Sequence, residues 1–384
     1  MSAPANTPEQ SETADSRLPR DLPSLTGLRF FAICAVFIAH AALFTLIRTG
    51  ADYSVLHPLG ALGVSLFFVL SGFVLTHAAR ESDTVTAFWR RRFVKIYPSH
   101  VVAWIAVMAA FVFAGVPRMP PGAEVPFSHD LANLFLVQTL IPTDFTVDGG
   151  NGVAWSLVCE MVFYLLFPVL YPLVRRIREE RLLLAAAAVV AVGWLLPLCY
   201  TALGGAPLGS PIGADLSLLQ LGFAYFWPIS RLPEFVLGMV LARLAAHRPS
   251  ASIGVLPAVA VLAVVIVAGQ LFLPSIFLLS AVTLVPLGLL IHAAAVTDLR
   301  GSTSLLRAPS TVFLGKISYA FYLVHYTVLM VAYFYVPATW PNAVLVLVVF
   351  VAAHLVAWAL YALVERPFMR RFAVKRQLRS ERGA

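Results

Sequence analysis

Charged residues are scarce in this sequence: Asp, Glu, Lys and Arg make up 12% of its 384 residues, while 60% are hydrophobic. A soluble domain of that length cannot bury so much apolar surface, so the composition excludes one and indicates a polytopic membrane protein. Cysteine is nearly absent. The three present, Cys34, Cys159 and Cys199, lie within or beside apolar runs without CxxC or metal-type spacing, so neither a disulfide framework nor a metal site is expected. The net charge of +8 would suit nucleic acid, but the cations sit in short clusters between apolar runs, where they set topology; no nucleic-acid partner is expected. Internal repeats are lacking too. The first 24 residues show no signal-peptide pattern, and their Ser, Thr, Pro and charge predict a disordered tail.

What the sequence has in abundance is apolar runs. Ten are long enough to span a bilayer, at 25–46, 59–79, 98–116, 153–174, 182–202, 227–246, 253–272, 275–296, 312–336 and 342–363. The seventh and eighth, parted by little more than Leu273 and Pro274, have a re-entrant pair as their alternative. The expectation is therefore an all-α polytopic membrane protein of about ten transmembrane helices, with a membrane domain over 25–368, a disordered cytoplasmic tail over 1–24 and a basic cytoplasmic tail over 369–384. One side collects Arg17, Arg20, Arg80, Arg90, Arg91, Arg92, Lys95, Arg175, Arg176, Arg178, Arg181, Arg243, Arg248, Arg300, Arg307 and the basic carboxyl terminus; the other keeps Arg48, Arg118 and Arg231. The positive-inside rule then puts both termini in the cytoplasm. Within the outer loop 117–152, the apolar run 131–141 reads as an interfacial helix able to cover a site mouth.

Ionisable groups inside the spans are few, and by default they mark functional sites. Arg29 and His40 are the only two in the first span. Eleven residues is close to three turns, so both project from one helix face, about 16 Å apart along the axis. The competing reading has Arg29 snorkelling to headgroups and His40 satisfying a neighbouring helix. In the fourth span Ser156, Glu160 and Tyr164 recur at i, i+4 and i+8. Glu160 sits at a depth matching that of His40, which makes the two candidates for a hydrogen-bonded pair. Arg231 and Glu234, three apart, are expected to pair with each other. Ser318, Tyr322 and His325 share one stripe of the ninth span, where a structural network and a substrate passage account for them equally well. His292 and His354 have no evident partner, and packing is the expectation for both. Cys159 points about 100° away from Glu160, which argues against a shared dyad. Residues 88–98, FWRRRFVKIYP, place four cations just before the third span. They determine topology, and guanidinium groups there are also a candidate seat for a phosphorylated cytosolic cofactor.

Taken together, these stretches resemble the acyltransferase family 3 membrane proteins over residues 22–368. Arg29 and His40 match that family's signature of an arginine, ten intervening residues and a histidine. FFVLSGFVL at 67–75, which contains Ser71, WSLVCEMVFY at 155–164, RLPEFVLG at 231–238, ISYAFYLVH at 317–325 and ERPF at 365–368 are similar to its other recurring blocks, in the family's order. There is one departure. The family's pair of arginines three apart stands here as Arg92 and Lys95, and lysine keeps the charge but loses the bidentate fork.

The resemblance implies transfer of an acyl group, most often acetyl, from cytosolic acyl-coenzyme A to a hydroxyl of a cell-envelope glycan, a glycolipid or a macrolide-like acceptor, by a multi-pass protein of the inner membrane. It implies that Arg29, Arg91, Arg92 and Lys95 hold the coenzyme's phosphates, that His40 takes the acceptor's proton, and that Glu160 orients the imidazole. Ser71, Trp155, Ser156, Tyr164, Arg231, Glu234, Ser318, Tyr322 and His325 would make the substrate-binding or structural polar network. Direct attack is the preferred route, with an acyl-histidine relay as the alternative. Many members carry a further hydrolase-like domain, whereas this chain runs about twenty residues past its last span. Transfer is therefore expected to finish in the membrane domain or to pass to a separate envelope-modification protein. A proton-coupled transporter or flippase is the rival class. It would use the same His and Glu as a relay, but it calls for broken helices in two related halves, which the sequence does not display. A receptor or assembly subunit without chemistry is the third.

Overall fold

The computed structural model describes residues 19, 21–51, 53–80, 83–118, 124–144, 146–147, 149–208, 213, 215–249 and 252–373. Most of the tail expected at 1–24, with Arg17 and Arg20, and 374–384 of the basic tail lie outside the described residues. Fifteen helices follow one another: α1 (Pro23–Thr49), α2 (Pro58–Ala78), α3 (Val85–Val112), α4 (Phe127–Leu134), α5 (Trp155–Arg175), α6 (Leu182–Tyr200), α7 (Leu218–Leu221), α8 (Pro228–His247), α9 (Val255–Phe272), α10 (Ser275–Leu278), α11 (Leu284–Leu299), α12 (Pro309–Lys316), α13 (Ser318–Tyr335), α14 (Asn342–Leu360) and α15 (Arg366–Phe368). No β-strand occurs among the described residues, and the chain is all-α.

Helix ends follow from local chemistry. α1, α2 and α8 begin with proline in the first turn, where its missing N–H costs nothing. The start of α1 is also fastened from outside: the Asp298 carboxylate of α11 accepts from the Ser24 backbone N–H at 2.9 and 3.1 Å and from its hydroxyl at 2.7 Å. At the other end Gly50, at φ 73°, turns left-handed and returns its N–H to the Leu46 carbonyl. Thr84 caps α3 by accepting from the Ala87 N–H.

α2 and α8 form the buried centre, with α1 packed on α2, and α5, α6 and α11 packed on α8. Their approach is close enough to be backbone on backbone. A Cβ on Gly72 would fall 1.9 Å from the Phe235 carbonyl oxygen, and one on Gly238 would fall 1.9 Å from the Val69 carbonyl oxygen. α13 joins α1 to α14 on one flank, while α6, α9 and α14 turn wide apolar faces outward.

Among the described residues eight helical stretches are long and apolar enough to cross a membrane, or nine if α12 and α13, bent by 67°, count as one span. All ten expected spans correspond to helix, but besides the bent ninth several differ from expectation. α8 is twenty residues long yet carries Arg231, Glu234 and Arg243, so it is not apolar by composition. The eighth breaks into α10, a short 3₁₀ turn and α11, and its apolar stretch is Ala281–Leu299. The basic cluster does not precede the third span but forms its first turns, because α3 runs unbroken from Val85 through Pro98 to Val112. In the loop 117–152 the helix forms earlier than its apolar run suggested. α4 covers Phe127–Leu134, and the backbone turns at Leu136, the one non-glycine residue with positive φ (56°) among those described.

Candidate active site

Nine of the residues picked out on separate spans, Arg29, Ser71, Arg92, Lys95, Ser156, Glu160, Tyr164, Ser318 and Tyr322, line one cavity of about 220 Å³, whereas His40 and His325 are not among its lining residues. Arg29 of α1, Arg92 and Lys95 of α3 and Lys316 at the end of α12 give it a cationic end, and exposed Lys316 places the mouth there. The inner part is walled by Val64, Phe67 and Phe68 of α2 and Leu157 of α5. Ser71, Ser156, Glu160, Tyr164, Ser318, Tyr319 and Tyr322 supply its hydroxyls and its carboxyl group. A vessel with cations at the mouth and apolar walls inside suits an anionic head carrying a longer, less polar arm.

The cations are spaced, not fused. Arg29 lies within the field of Glu160, Tyr164, Arg92 and Glu365. Lys95 is in contact with the buried carboxylate of Glu365, 270 residues further on, and its ammonium lies 5.7 Å from the Tyr319 ring centroid. Arg92 rests its guanidinium 5.8 Å from the Phe88 ring centroid. Arg91 does not line the cavity and pairs with Asp83 at 2.7 Å. Glu160 has Arg29, Lys95 and Arg92 as its charged neighbours and hydrogen-bonds the Tyr164 hydroxyl, which also meets Ser71.

This overturns the pairing of His40 with Glu160. The Nδ1 of His40 lies 2.9 Å from Nε2 of His325, and the two rings sit 5.1 Å apart. The physical reason is rotational. Depth along a helix can be counted from sequence, but α5 packs on α8, α3 and α2, while the helix that meets α1 on the His40 side is α13. Glu160 therefore faces the cationic end with Arg29, and the imidazole finds another imidazole.

The histidine pair is tied to the cavity through Tyr322. That hydroxyl donates to the Val153 carbonyl at 3.0 Å and accepts from the Ser156 hydroxyl at 2.8 Å, while its ring lies 5.7 Å from that of His325. The Phe67 ring closes on Tyr322 at 6.2 Å. His40 also meets the edge of Tyr326 at 5.2 Å. The remaining expected site residues lie behind the walls. Arg231 and Glu234, both buried, pair at 3.0 Å, and Arg231 donates further to the Leu279 carbonyl and to Ser65. Trp155 stacks among Phe68, Tyr225 and Phe226. His354 sits 4.3 Å from Phe321 and 4.4 Å from Phe350, a packed ring.

Sequence reasoning missed Lys316, Tyr319 and Glu365. The signal was present: Lys316 and Tyr319 flank Ser318, and Glu365 opens the ERPF block. It also missed a buried lashing of the loop 117–152. Arg118 and Asp130 pair through two contacts of 2.8 Å, Asp130 accepts from the Gly150 N–H, and the Asn151 amide donates to the Leu323 carbonyl of α13.

A family model described as an acyltransferase domain matches residues 22–362. Acyltransferase MdmB of Streptomyces mycarofaciens is 39% identical over 311 residues, covering 80% of this chain and 79% of that protein. O-acetyltransferase OatA of Staphylococcus aureus is 24% identical over 377 residues, 92% of this chain and 58% of that protein. The peptidoglycan O-acetyltransferase OatA of Listeria monocytogenes is 28% identical over 233 residues, 56% of this chain and 35% of that protein. The chain thus spans well under two thirds of either OatA relative. No solved structure matches it.

Proposed function

The chain belongs to this acyltransferase family, and on that premise we propose that it moves an acyl group, acetyl first among candidates, from acyl-coenzyme A to a hydroxyl of an envelope glycan, a glycolipid or a macrolide-like acceptor. The observation that carries the reading is the cavity itself, cationic at its mouth, apolar within, and bordered by Tyr322, whose ring packs on His325, the partner of His40. Arg29, Arg92, Lys95 and Lys316 would hold the coenzyme's phosphates, Arg29 and Arg92 by their guanidinium forks and the lysines as point charges. Arg91, which does not line the cavity, is left out of that set. Glu160, in the field of three of these cations, would orient Arg29. The clustering of cations at one end fits a multi-pass protein of the inner membrane with that end, and both termini, on the cytoplasmic side.

In the transfer the acceptor oxygen attacks the thioester carbonyl carbon while His40 takes the hydroxyl proton. The carbon–sulfur bond breaks with its electron pair on sulfur, and the proton passes from His40 to the thiolate, leaving an O-acyl ester and free coenzyme A. The test is a proteoliposome assay with radiolabelled acetyl-coenzyme A and envelope or metabolite fractions as acceptors. Thioester consumption with label in the acceptor is expected, falling roughly 10²–10⁴-fold in His40→Ala. A transporter or receptor leaves the thioester intact, and that result would overturn the reading.

A further inference from the structure

Resting on the transfer reading above, we infer that His325 is a positioning residue that fixes His40 as its Nδ1–H tautomer and so makes Nε2 the basic nitrogen. The argument starts at the backbone. Nδ1 of His325 lies 2.8 Å from the Tyr322 carbonyl oxygen and 3.2 Å from that of Phe321. A carbonyl only accepts, so the proton of a neutral His325 is on Nδ1 and its Nε2 presents a lone pair. Nδ1 of His40 stands 2.9 Å from that lone pair and must donate to it. The demand of a helix carbonyl is thus relayed through one imidazole to the tautomer of the next.

Packing holds the plane of the His325 ring, and the hydrogen bonds decide which way round it sits. It is 1% exposed, lies parallel to Phe321 at 5.6 Å and meets Tyr322 and the edge of Phe37. A half-turn of the ring would aim C–H groups at both the carbonyl and His40. In hydrolase triads a carboxylate holds the histidine this way. Here the holder is neutral and contributes orientation without charge. Through the reaction the Nδ1 proton of His40 stays in place, the acceptor's proton arrives on Nε2 and leaves from Nε2 to the thiolate, so His325 neither gains nor loses a proton.

Two measurements test this. His325→Leu removes the acceptor for the Nδ1 proton, and kcat is expected to fall about a hundred-fold with KM for acetyl-coenzyme A within three-fold. His325→Gln, whose carboxamide oxygen reaches the Nε2 position, is expected to recover at least ten-fold of that loss. Equal loss in both variants, a full-rate Leu variant, or a loss confined to KM overturns the proposal. Independently of turnover and of whether the His325 variants fold, ¹⁵N-histidine NMR of the wild-type protein in nanodiscs, assigned against a folded His40→Asn, reads the tautomer. A protonated Nδ1 and a bare Nε2 on His40 are expected, and the reverse overturns the inference. Absence of thioester consumption by the wild type would instead overturn the transfer reading and leave the NMR result standing.

Discussion

Placing a single methyl group between α2 and α8 should disable the site from behind its wall. The Cβ of Gly72→Ala would lie 1.9 Å from the Phe235 carbonyl oxygen, whereas a carbon and an oxygen approach to about 3.3 Å even when a C–H points at the oxygen. The helices must part by up to about 1.4 Å. Both contact atoms belong to backbone, so no side chain can swing aside. Overpacking of this kind costs about 1–3 kcal/mol of stability. α2 also carries Phe67, Phe68 and Ser71 of the cavity wall, and a shift of about 1 Å in groups that align reactants costs about 10²-fold in rate. Gly238→Ala meets the Val69 oxygen at the same 1.9 Å and should do the same. The double variant should lose less than the sum, since one parting relieves both collisions. Gly204→Ala, with open space around the added carbon, is the control. Initial rates of acyl transfer at saturating donor, alongside thermal unfolding in detergent, give the answer. A Gly72→Ala protein with unchanged melting and a rate within three-fold of wild type would refute the reasoning.

Arg29→Ala is expected to raise the apparent KM for acyl-coenzyme A by roughly 10–100-fold, the loss of one charged hydrogen-bonding partner, with kcat changed less; titration of coenzyme A binding checks it. Asp130→Asn should loosen the loop that carries it, because the carboxylate that receives Arg118 and the Gly150 N–H loses its charge. Faster proteolytic cleavage between residues 124 and 150, with the transmembrane core intact, is the expected outcome. Asp298→Ala strips the buried Ser24 N–H and hydroxyl of their acceptors and should lower stability by about 1–3 kcal/mol, visible as a lower melting temperature.

How much could be read beforehand differs sharply between quantities counted along a helix and quantities that depend on how helices turn toward one another. The all-α fold and the long apolar helices follow from composition and periodicity, because rise and rotation per residue are constants. The partner of His40 does not. Glu160 was set at a depth matching His40 and His325 on a stripe of its own span, and only packing decides that α13 brings that stripe to α1 while α5 turns Glu160 to the cationic end. Lys95 shows the same limit, since the carboxylate that meets it lies 270 residues away. Arg231 and Glu234 were legible because i, i+3 neighbours need no tertiary information. The unbroken α3 was not. A proline next to a charge cluster reads as a boundary, yet the helix tolerates Pro98 in its interior.

The stripe on α13 has a consequence for how such a protein can change. Ser318 borders the cavity and His325 meets His40 seven residues on, so the reach between them, about 10 Å, is a fixed number of helical steps. Adding or removing one residue in that interval would spin His325 by about 100° as well as shifting it by about 1.5 Å. On the transfer reading proposed above, donors with longer or shorter arms could therefore not be accommodated by small insertions here. Adaptation has to come from side-chain size along the opposite wall, at positions such as Val64, Phe67 and Leu157, while the spacing on α13 behaves as a ruler with only whole-turn graduations.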